Sequence, residues 1–385
     1  IHGAAWLGGI GGVLRESRMD FVDHHSYWQH PNFPRRPWDA KDWNIGNTPM
    51  VRDSGGGTFP HLALHRVAGK PFTVSEYNHA APNEYASETM PIIAAYAAWQ
   101  DWDGIYLFDY NGDHRNWNED QIRGFFSADT DPNKMAFMPA AALIFRAGLM
   151  PASAARANLQ VPQNSVVDLL ARNGLNGFWD SNVHGIWGAA GLQKNDWLAS
   201  RAAISFITGS DAPKISRLST RIAVPASLSW NADGDKSRFT MAAPGARVAI
   251  GFLGGQTISL GDASLQVAST PRNWATITIT ARDRKALPQS SQILLTVMDK
   301  AENQGMTWNA ERNSVSDQWG TGPVLAQTVP ATVTITTKAR TATMHALDAT
   351  GKRTRTISST LGGGKLAFKI SPSDKAVWYE IAATH

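Results

Sequence analysis

Short segments in the second half of the chain alternate apolar with polar residues, and turn residues separate them. Examples are WATITITARD at 274–283, SQILLTVMDKA at 291–301 and ATVTITTKARTATMHALD at 331–348. A period of two puts every second side chain on one face, so each segment predicts a β-strand with one buried face. Short strands at this spacing are typical of β-sandwiches. We therefore predict one or two β-sandwich domains over residues 216–385.

The first part of the chain follows a different pattern, in which strand-like and helix-like segments alternate. Such alternation is typical of α/β domains and predicts one over residues 1–150. Residues 151–215 contain helix-like stretches and are predicted to link and brace the two parts. The expected fold class is thus α/β plus all-β. The strand candidates are 19–28, 70–77 and 103–110, and the helix candidates are 83–102 and 133–148.

Composition excludes several classes of function. The 385 residues carry a formal charge of only +4, and no run of Lys and Arg is long enough to follow a nucleic-acid backbone. No apolar stretch approaches the ~20 residues that span a bilayer. The absence of cysteine excludes disulfides, thiolate nucleophiles and Cys-based metal sites. It also suits a secreted or periplasmic protein, and the first residues lack the charged start of a signal peptide, so we expect a mature or internal piece.

A long segment between the first two strand candidates, 29–57, is rich in Pro, Trp and Gly and has no clear period. Loops of this length inside a compact domain are usually functional. The chain has 15 tryptophans against 7 tyrosines, and indole rings suit both the apolar faces of sugars and protein cores. Trp28, Trp38 and Trp43 are therefore either one wall of a binding site or fillers beneath the loop.

Each strand candidate of the first part ends in polar and aromatic residues: DHHSYW at 23–28, SEYNH at 75–79 and FDYNGDH at 108–114. Active sites lie at the carboxyl ends of parallel strands in (β/α)8 barrels and in doubly wound sheets. No Gly-rich phosphate-binding loop follows these strands, which favours the barrel. Glu76 is the carboxylate at the centre of this pattern.

The motifs HSYW, SEY and IYLFDY, in this order, resemble strands six, seven and eight of the clan-A retaining glycoside hydrolases, the cellulase-like superfamily. The resemblance implies the C-terminal half of a (β/α)8 barrel and cleavage of a β-linked oligo- or polysaccharide, with no cofactor. It also implies that Glu76 is the catalytic nucleophile. The substrate-binding residues that it implies are His25, Tyr27, Trp28, Trp38, Trp43, Tyr77, Phe108 and Tyr110.

The chain departs from this pattern in one large respect. A (β/α)8 barrel takes ~250 residues, yet three β/α units precede the β-rich half. The acid/base Glu of such enzymes, in an Asn-Glu pair, has no counterpart before Glu76, and the pair Asn83-Glu84 is predicted to begin a helix. We therefore expect a second polypeptide to supply the first half of the barrel and the acid/base residue.

Other interpretations of the same residues stay open. Glu76 could form a salt bridge with Arg66 or Lys70, a common role for a carboxylate at a strand end. His24 and His25 point to opposite faces of a strand, whereas His25 and His79 could hold zinc in a metal-dependent hydrolase. The chain could also be a non-catalytic carbohydrate-binding or scaffold protein whose β-sandwiches bind the glycan.

Overall fold

Strands form 37% and helices 20% of the structure that is described here for the chain. The computed structural model describes residues 9–112, 117–173, 181–193, 195–209, 211–218 and 226–385. Within these ranges, no helix combines the length and the apolarity that crossing a membrane requires. The larger share of strand makes the protein mainly β, and its sheets have up to eight strands.

The first part of the chain builds a small parallel sheet. β1, β2 and β3 lie in that order, and both pairs of neighbours run parallel. Helix α3 is apolar around its whole circumference and is buried on every side, as expected for a helix between two layers. The elements are α1 (Gly9–Glu16), β1 (Val22–Trp28), α2 (Phe59–Ala63), β2 (Phe72–His79), α3 (Thr89–Gln100), β3 (Gly104–Leu107), α4 (Pro132–Met135) and α5 (Met138–Ile144).

This sheet is not part of a (β/α)8 barrel, so the predicted fold class and the resemblance to clan-A glycoside hydrolases are wrong. A barrel needs eight parallel strands, each followed by a helix that leads to the next strand. Here the next helices after β3 are α4 and α5, and α5 packs against the large antiparallel sheet described below. Parallel β-α-β units are few, and most of the sheets are antiparallel.

The middle of the chain, predicted as a helical brace, also contains a sheet. Its strand order is β5-β4-β6, with β4 parallel to β5 and antiparallel to β6. The Trp187 indole N–H donates to the carbonyl of Leu64 at 2.9 Å, which ties this region to the first part. The elements are β4 (Arg156–Pro162), α6 (Val166–Asn173), α7 (Ser181–Ala189), α8 (Asp196–Ala199), β5 (Arg201–Ile207) and β6 (Lys214–Leu218).

The second half folds into two antiparallel sheets that share an apolar core, an arrangement compatible with the predicted β-sandwich. One sheet has the order β18-β17-β21-β13-β12-β9-β8-β7 and the other β10-β11-β16-β20-β19, while β14 and β15 pair separately. The strands are β7 (Ser227–Asn231), β8 (Arg238–Ala243), β9 (Ala246–Phe252), β10 (Thr257–Leu260), β11 (Ala263–Val267), β12 (Trp274–Ala281), β13 (Gln292–Met298), β14 (Lys300–Gln304), β15 (Thr321–Gln327), β16 (Ala331–Thr336), β17 (Thr341–Leu347), β18 (Arg353–Ile357), β19 (Ser359–Gly362), β20 (Lys365–Ile370) and β21 (Trp378–Thr384).

The eight-stranded sheet is covered on both faces, which explains why β9 and β12 are buried along their whole length. Ile277 and Ile279 of β12 join the sandwich core. Trp274 belongs to the core shared with α3 and α5, and its indole N–H donates to Ser87 at 3.1 Å. The predicted domain boundaries near residues 150 and 215 stay predictions, but one apolar core extends across both.

Candidate active site

A β-bulge in β2 determines which side chains face the site. His24 is paired with Val74, but the next residue, His25, is paired with Glu76, so Ser75 is an extra residue. A bulge lets consecutive residues point to the same side of a sheet. Ser75 and Glu76 accordingly both contact side chains of β1 on the face opposite the apolar core.

Glu76 is held through one of its two carboxylate oxygens. The Tyr27 hydroxyl donates to Oε2 at 2.5 Å, and His25 Nδ1 lies 3.4 Å from the same oxygen. Among the described residues, Oε1 accepts no hydrogen bond, and the side chain is 31% exposed. Burial, followed by the hydrogen bond to Glu76, raises the pKa of Tyr27 well above its ordinary value, so Tyr27 stays a hydrogen-bond donor.

A buried carboxylate, Asp23, lies behind this pair. Burial alone would raise the pKa of Asp23, but hydrogen bonds from His25, Ser75 and Thr73 outweigh it, and the pKa is lowered. Ser75 Oγ donates to Asp23 at 2.5 Å and lies 3.0 Å from His25 Nε2. Because the hydroxyl has one proton, it accepts from the N–H of His25 Nε2. The ring therefore turns Nδ1 towards Glu76.

Aromatic rings surround Tyr27 on this face. Phe126 lies 5.1 Å, His30 5.5 Å and Phe108 6.0 Å from the Tyr27 ring, measured between centroids. Trp38 from the long loop stands 6.0 Å from His30 and is 62% exposed. The loop therefore contributes an exposed indole beside this aromatic cluster.

The structure separates the predicted substrate-binding residues into two groups. His25 and Tyr27 contact Glu76, Phe108 and Trp38 belong to the aromatic cluster around Tyr27 and His30, and Tyr110 is exposed beyond β3. Tyr77 is fully buried, and its hydroxyl bonds His79 at 2.9 Å on the core side of the sheet. Trp43 is 3% exposed and stacks on Trp319, while the half-buried Trp28 donates to the carbonyl of Thr48. Tyr77 and Trp43 thus lie within packed cores.

Within the described ranges, the two basic residues considered as ion-pair partners of Glu76 bind backbone carbonyls elsewhere. Lys70 donates to the carbonyl of Met19 at 2.6 Å, and Arg66 donates to that of Asp101. His79 is fully buried on the core face, 3.5 Å from Glu88, whereas His25 is on the opposite face. His25 and His79 therefore do not share a zinc site.

Asp23, Ser75 and Phe126 are the parts of this site that sequence reasoning missed. Asp23 was visible as a polar residue two positions before His25, hence on the same strand face. Phe126 comes from the loop after β3 and carried no signal. That loop is fixed by Asn78, whose side-chain amide donates to the carbonyls of Phe108 and Phe126.

The charge of Asp109 also raises the pKa of Tyr27, but by less than burial and Glu76 do.

Comparisons with protein-family models, with curated proteins and with solved structures give no match for this chain.

Proposed function

We propose that this chain carries the nucleophile of a glycoside hydrolase that acts on a β-linked glycan with retention of configuration. The observation that supports this best is the state of Glu76: Tyr27 holds Oε2, while Oε1 has no hydrogen-bond partner in the described part of the chain and the side chain is partly exposed. A carboxylate fixed in this way can attack a sugar carbon through Oε1, since in the described part of the chain no Lys or Arg pairs with Glu76.

The reaction would proceed in two steps. Glu76 attacks the anomeric carbon and forms a glycosyl ester, while a second carboxyl group about 5–5.5 Å away protonates the departing oxygen. The second group then removes a proton from water, which attacks the same carbon, and Glu76 leaves as a carboxylate. Tyr27 would orient the nucleophile through both steps, and Asp23 and Ser75 would keep the His25 ring in place.

The second carboxyl group would come from a partner polypeptide. In the described part of the chain, β1 and β3 each pair only with β2 and so present open edges. Open edges accept further strands, and a strand added beside β1 would lie next to Tyr27 and Glu76. We therefore still propose a partner polypeptide, but one that adds to the three-stranded sheet and does not complete a barrel.

Mechanism-based labelling would test the nucleophile. Dinitrophenyl 2-deoxy-2-fluoro-β-glycosides of several sugars have a leaving group that needs no acid, so the missing carboxyl group is not required. We expect one sugar per chain, with peptide mapping by mass spectrometry locating it on Glu76. Labelling of another residue, or no labelling by any sugar of the series, would contradict the proposal.

A non-catalytic carbohydrate-binding role is the second candidate, because the exposed Trp38, Tyr110 and Trp117 offer flat apolar faces. Binding of soluble glycans without any covalent label on Glu76 would favour it.

Trp38 and Trp43 form a matched pair for testing the aromatic wall. Trp38→Ala should weaken glycan binding by about 1–3 kcal/mol, since an exposed indole is lost from the ligand contact. Trp43→Ala should instead destabilise the fold by about 3–5 kcal/mol, because the indole is buried. Calorimetric titration with soluble glycans and urea unfolding would measure the two effects. Unchanged affinity in the Trp38 variant would remove this residue from the site.

A further inference from the structure

Three histidines meet on the opposite side of β1 from Glu76. The ring centroids of His24, His61 and His65 are 4.4–4.9 Å apart. One ring nitrogen from each residue lies within 4.8 Å of the other two. Neither the proposed hydrolysis nor the sequence interpretation uses this cluster.

The local structure explains the meeting. His24 follows the alternation of β1, so it points away from the face that carries His25 and Tyr27. His61 lies in α2, and His65 follows four residues later, just past the helix end. Residues four apart in helical backbone lie on one face, so both rings turn towards His24.

His24 supplies a second, independent observation. It is fully buried, and its Nε2 has no hydrogen-bond partner among the described residues. Its Nδ1 lies 2.9 Å from the backbone nitrogen and 3.0 Å from the carbonyl oxygen of His25. A buried polar atom without a partner is costly, and this atom belongs to the ring that faces His61 and His65.

The His65 ring makes a backbone contact of the kind that metal-bound imidazoles usually make. His65 Nδ1 donates to the carbonyl of His61. Metal-bound histidines commonly donate their other N–H to a backbone carbonyl. Neutral imidazole, the form with a lone pair on one ring nitrogen, is the form that binds metals. A fourth ring, His184 of α7, lies 6.0 Å from His61 and 5.9 Å from His65.

We propose that His24, His61 and His65 form a binding site for a divalent transition-metal ion, with Zn²⁺ as the ion that fits best. An all-imidazole set suits Zn²⁺, which takes Zn–N bonds of about 2.0–2.1 Å in tetrahedral geometry. Such bonds place two ligand nitrogens about 3.4 Å apart, so the rings would move closer together on binding. The ion would join β1 to α2 across the sheet from Glu76, which gives it a structural role and not a part in the glycan chemistry.

The test uses the full chain after treatment with a chelator. Calorimetric titration with Zn²⁺ should give one site per chain, and Co²⁺ should produce the intense visible bands of tetrahedral coordination. X-ray absorption of the Zn²⁺-loaded wild type should show scattering from at least three imidazoles, a measurement that does not depend on any variant folding.

His61→Gln and His65→Gln should each weaken Zn²⁺ binding by about 100-fold or more. A loss of this size exceeds that usually caused by mutating a residue that only hydrogen-bonds a metal ligand. His345→Gln, in β17 of the sandwich, is the matched control and should leave binding unchanged. If the wild type binds no Zn²⁺, the three rings only pack against one another and the proposal is overturned. Equal binding by wild type, His61→Gln and His65→Gln would overturn it as well.

Discussion

Replacement of Glu76 by glutamine should lower the rate of glycoside cleavage by about 10⁴-fold or more. A loss of this size corresponds to about 5 kcal/mol in the activation barrier. The amide keeps the volume of the side chain and can still accept the hydrogen bond from Tyr27, but it cannot form the glycosyl ester. Initial rates with activated aryl β-glycosides, measured on the wild type and the variant at the same pH, would give the ratio directly.

A chemical rescue separates loss of the nucleophile from loss of the fold. Glu76→Ala leaves space in which azide can attack the anomeric carbon, and the product should be a glycosyl azide of inverted configuration. Glu311→Gln makes the same chemical change as Glu76→Gln at an exposed position, and it should keep the wild-type rate. If Glu76→Gln retains a rate near that of the wild type, Glu76 is not the nucleophile.

The sequence predicts the sandwich better than it predicts the first part, because strand alternation is a local signal. Each strand of a half-buried sheet shows a period of two wherever its neighbours lie. Closure into a barrel is not local. It depends on the path of the chain after β3. The sequence of residues 103–110 is compatible both with a chain that returns to the sheet and with one that leaves it. The apolar pattern of α3 predicts a helix, but α3 is buried against α5 and β5, and α5 in turn packs on β12, more than 170 positions further along the chain.

The orientation of Glu76 in the candidate site is also not predictable from the local sequence pattern. Strict alternation from Phe72 and Val74 would send Glu76 into the core. The extra residue at Ser75 shifts the pattern, so that Glu76 faces His25 while Tyr77 enters the core. Polar residues after an apolar run indicated a site, but the bulge that orients them has no sequence signature here. His61 and His65 had a visible spacing of four, whereas their meeting with His24 required the packing of α2 against β1.

Replacement of Glu84 by glutamine should destabilise the protein by about 3–5 kcal/mol, a typical cost of removing one partner from a buried ion pair. Glu84 is 8% exposed and accepts from Arg312 at 2.7 and 3.0 Å, from Arg272 at 3.0 Å and from Lys300 at 3.1 Å. The sequence placed Glu84 at a helix start, since its cationic partners lie about 190–230 positions further along the chain. Without the Glu84 carboxylate, the positive charges of Arg312, Arg272 and Lys300 would lie close together with no carboxylate between them.

The same carboxylate should make stability depend on acid. Burial alone would raise the pKa of Glu84, but the hydrogen bond from Arg312 and the charges of Arg272 and Lys300 lower it from 4.5 to about 2. A lowered pKa in the folded state stabilises the protein fully above pH 4.5, and this contribution disappears as the pH falls towards 2. Its size is about 3 kcal/mol, at 1.36 kcal/mol for each pKa unit.

Urea unfolding of the wild type and of Glu84→Gln between pH 7 and pH 2 would measure both effects, and urea, unlike guanidinium chloride, does not screen charges. The difference in unfolding free energy between the two proteins should be largest at pH 7, and it should decrease as the pH falls below 4.5. Glu302→Gln is the matched control, because Glu302 also binds Lys300, at 2.8 Å, but is about one-third exposed. Its cost should stay under about 1 kcal/mol. A difference between wild type and Glu84→Gln that stays constant down to pH 2 would mean that the negative charge of Glu84 does not stabilise the folded state.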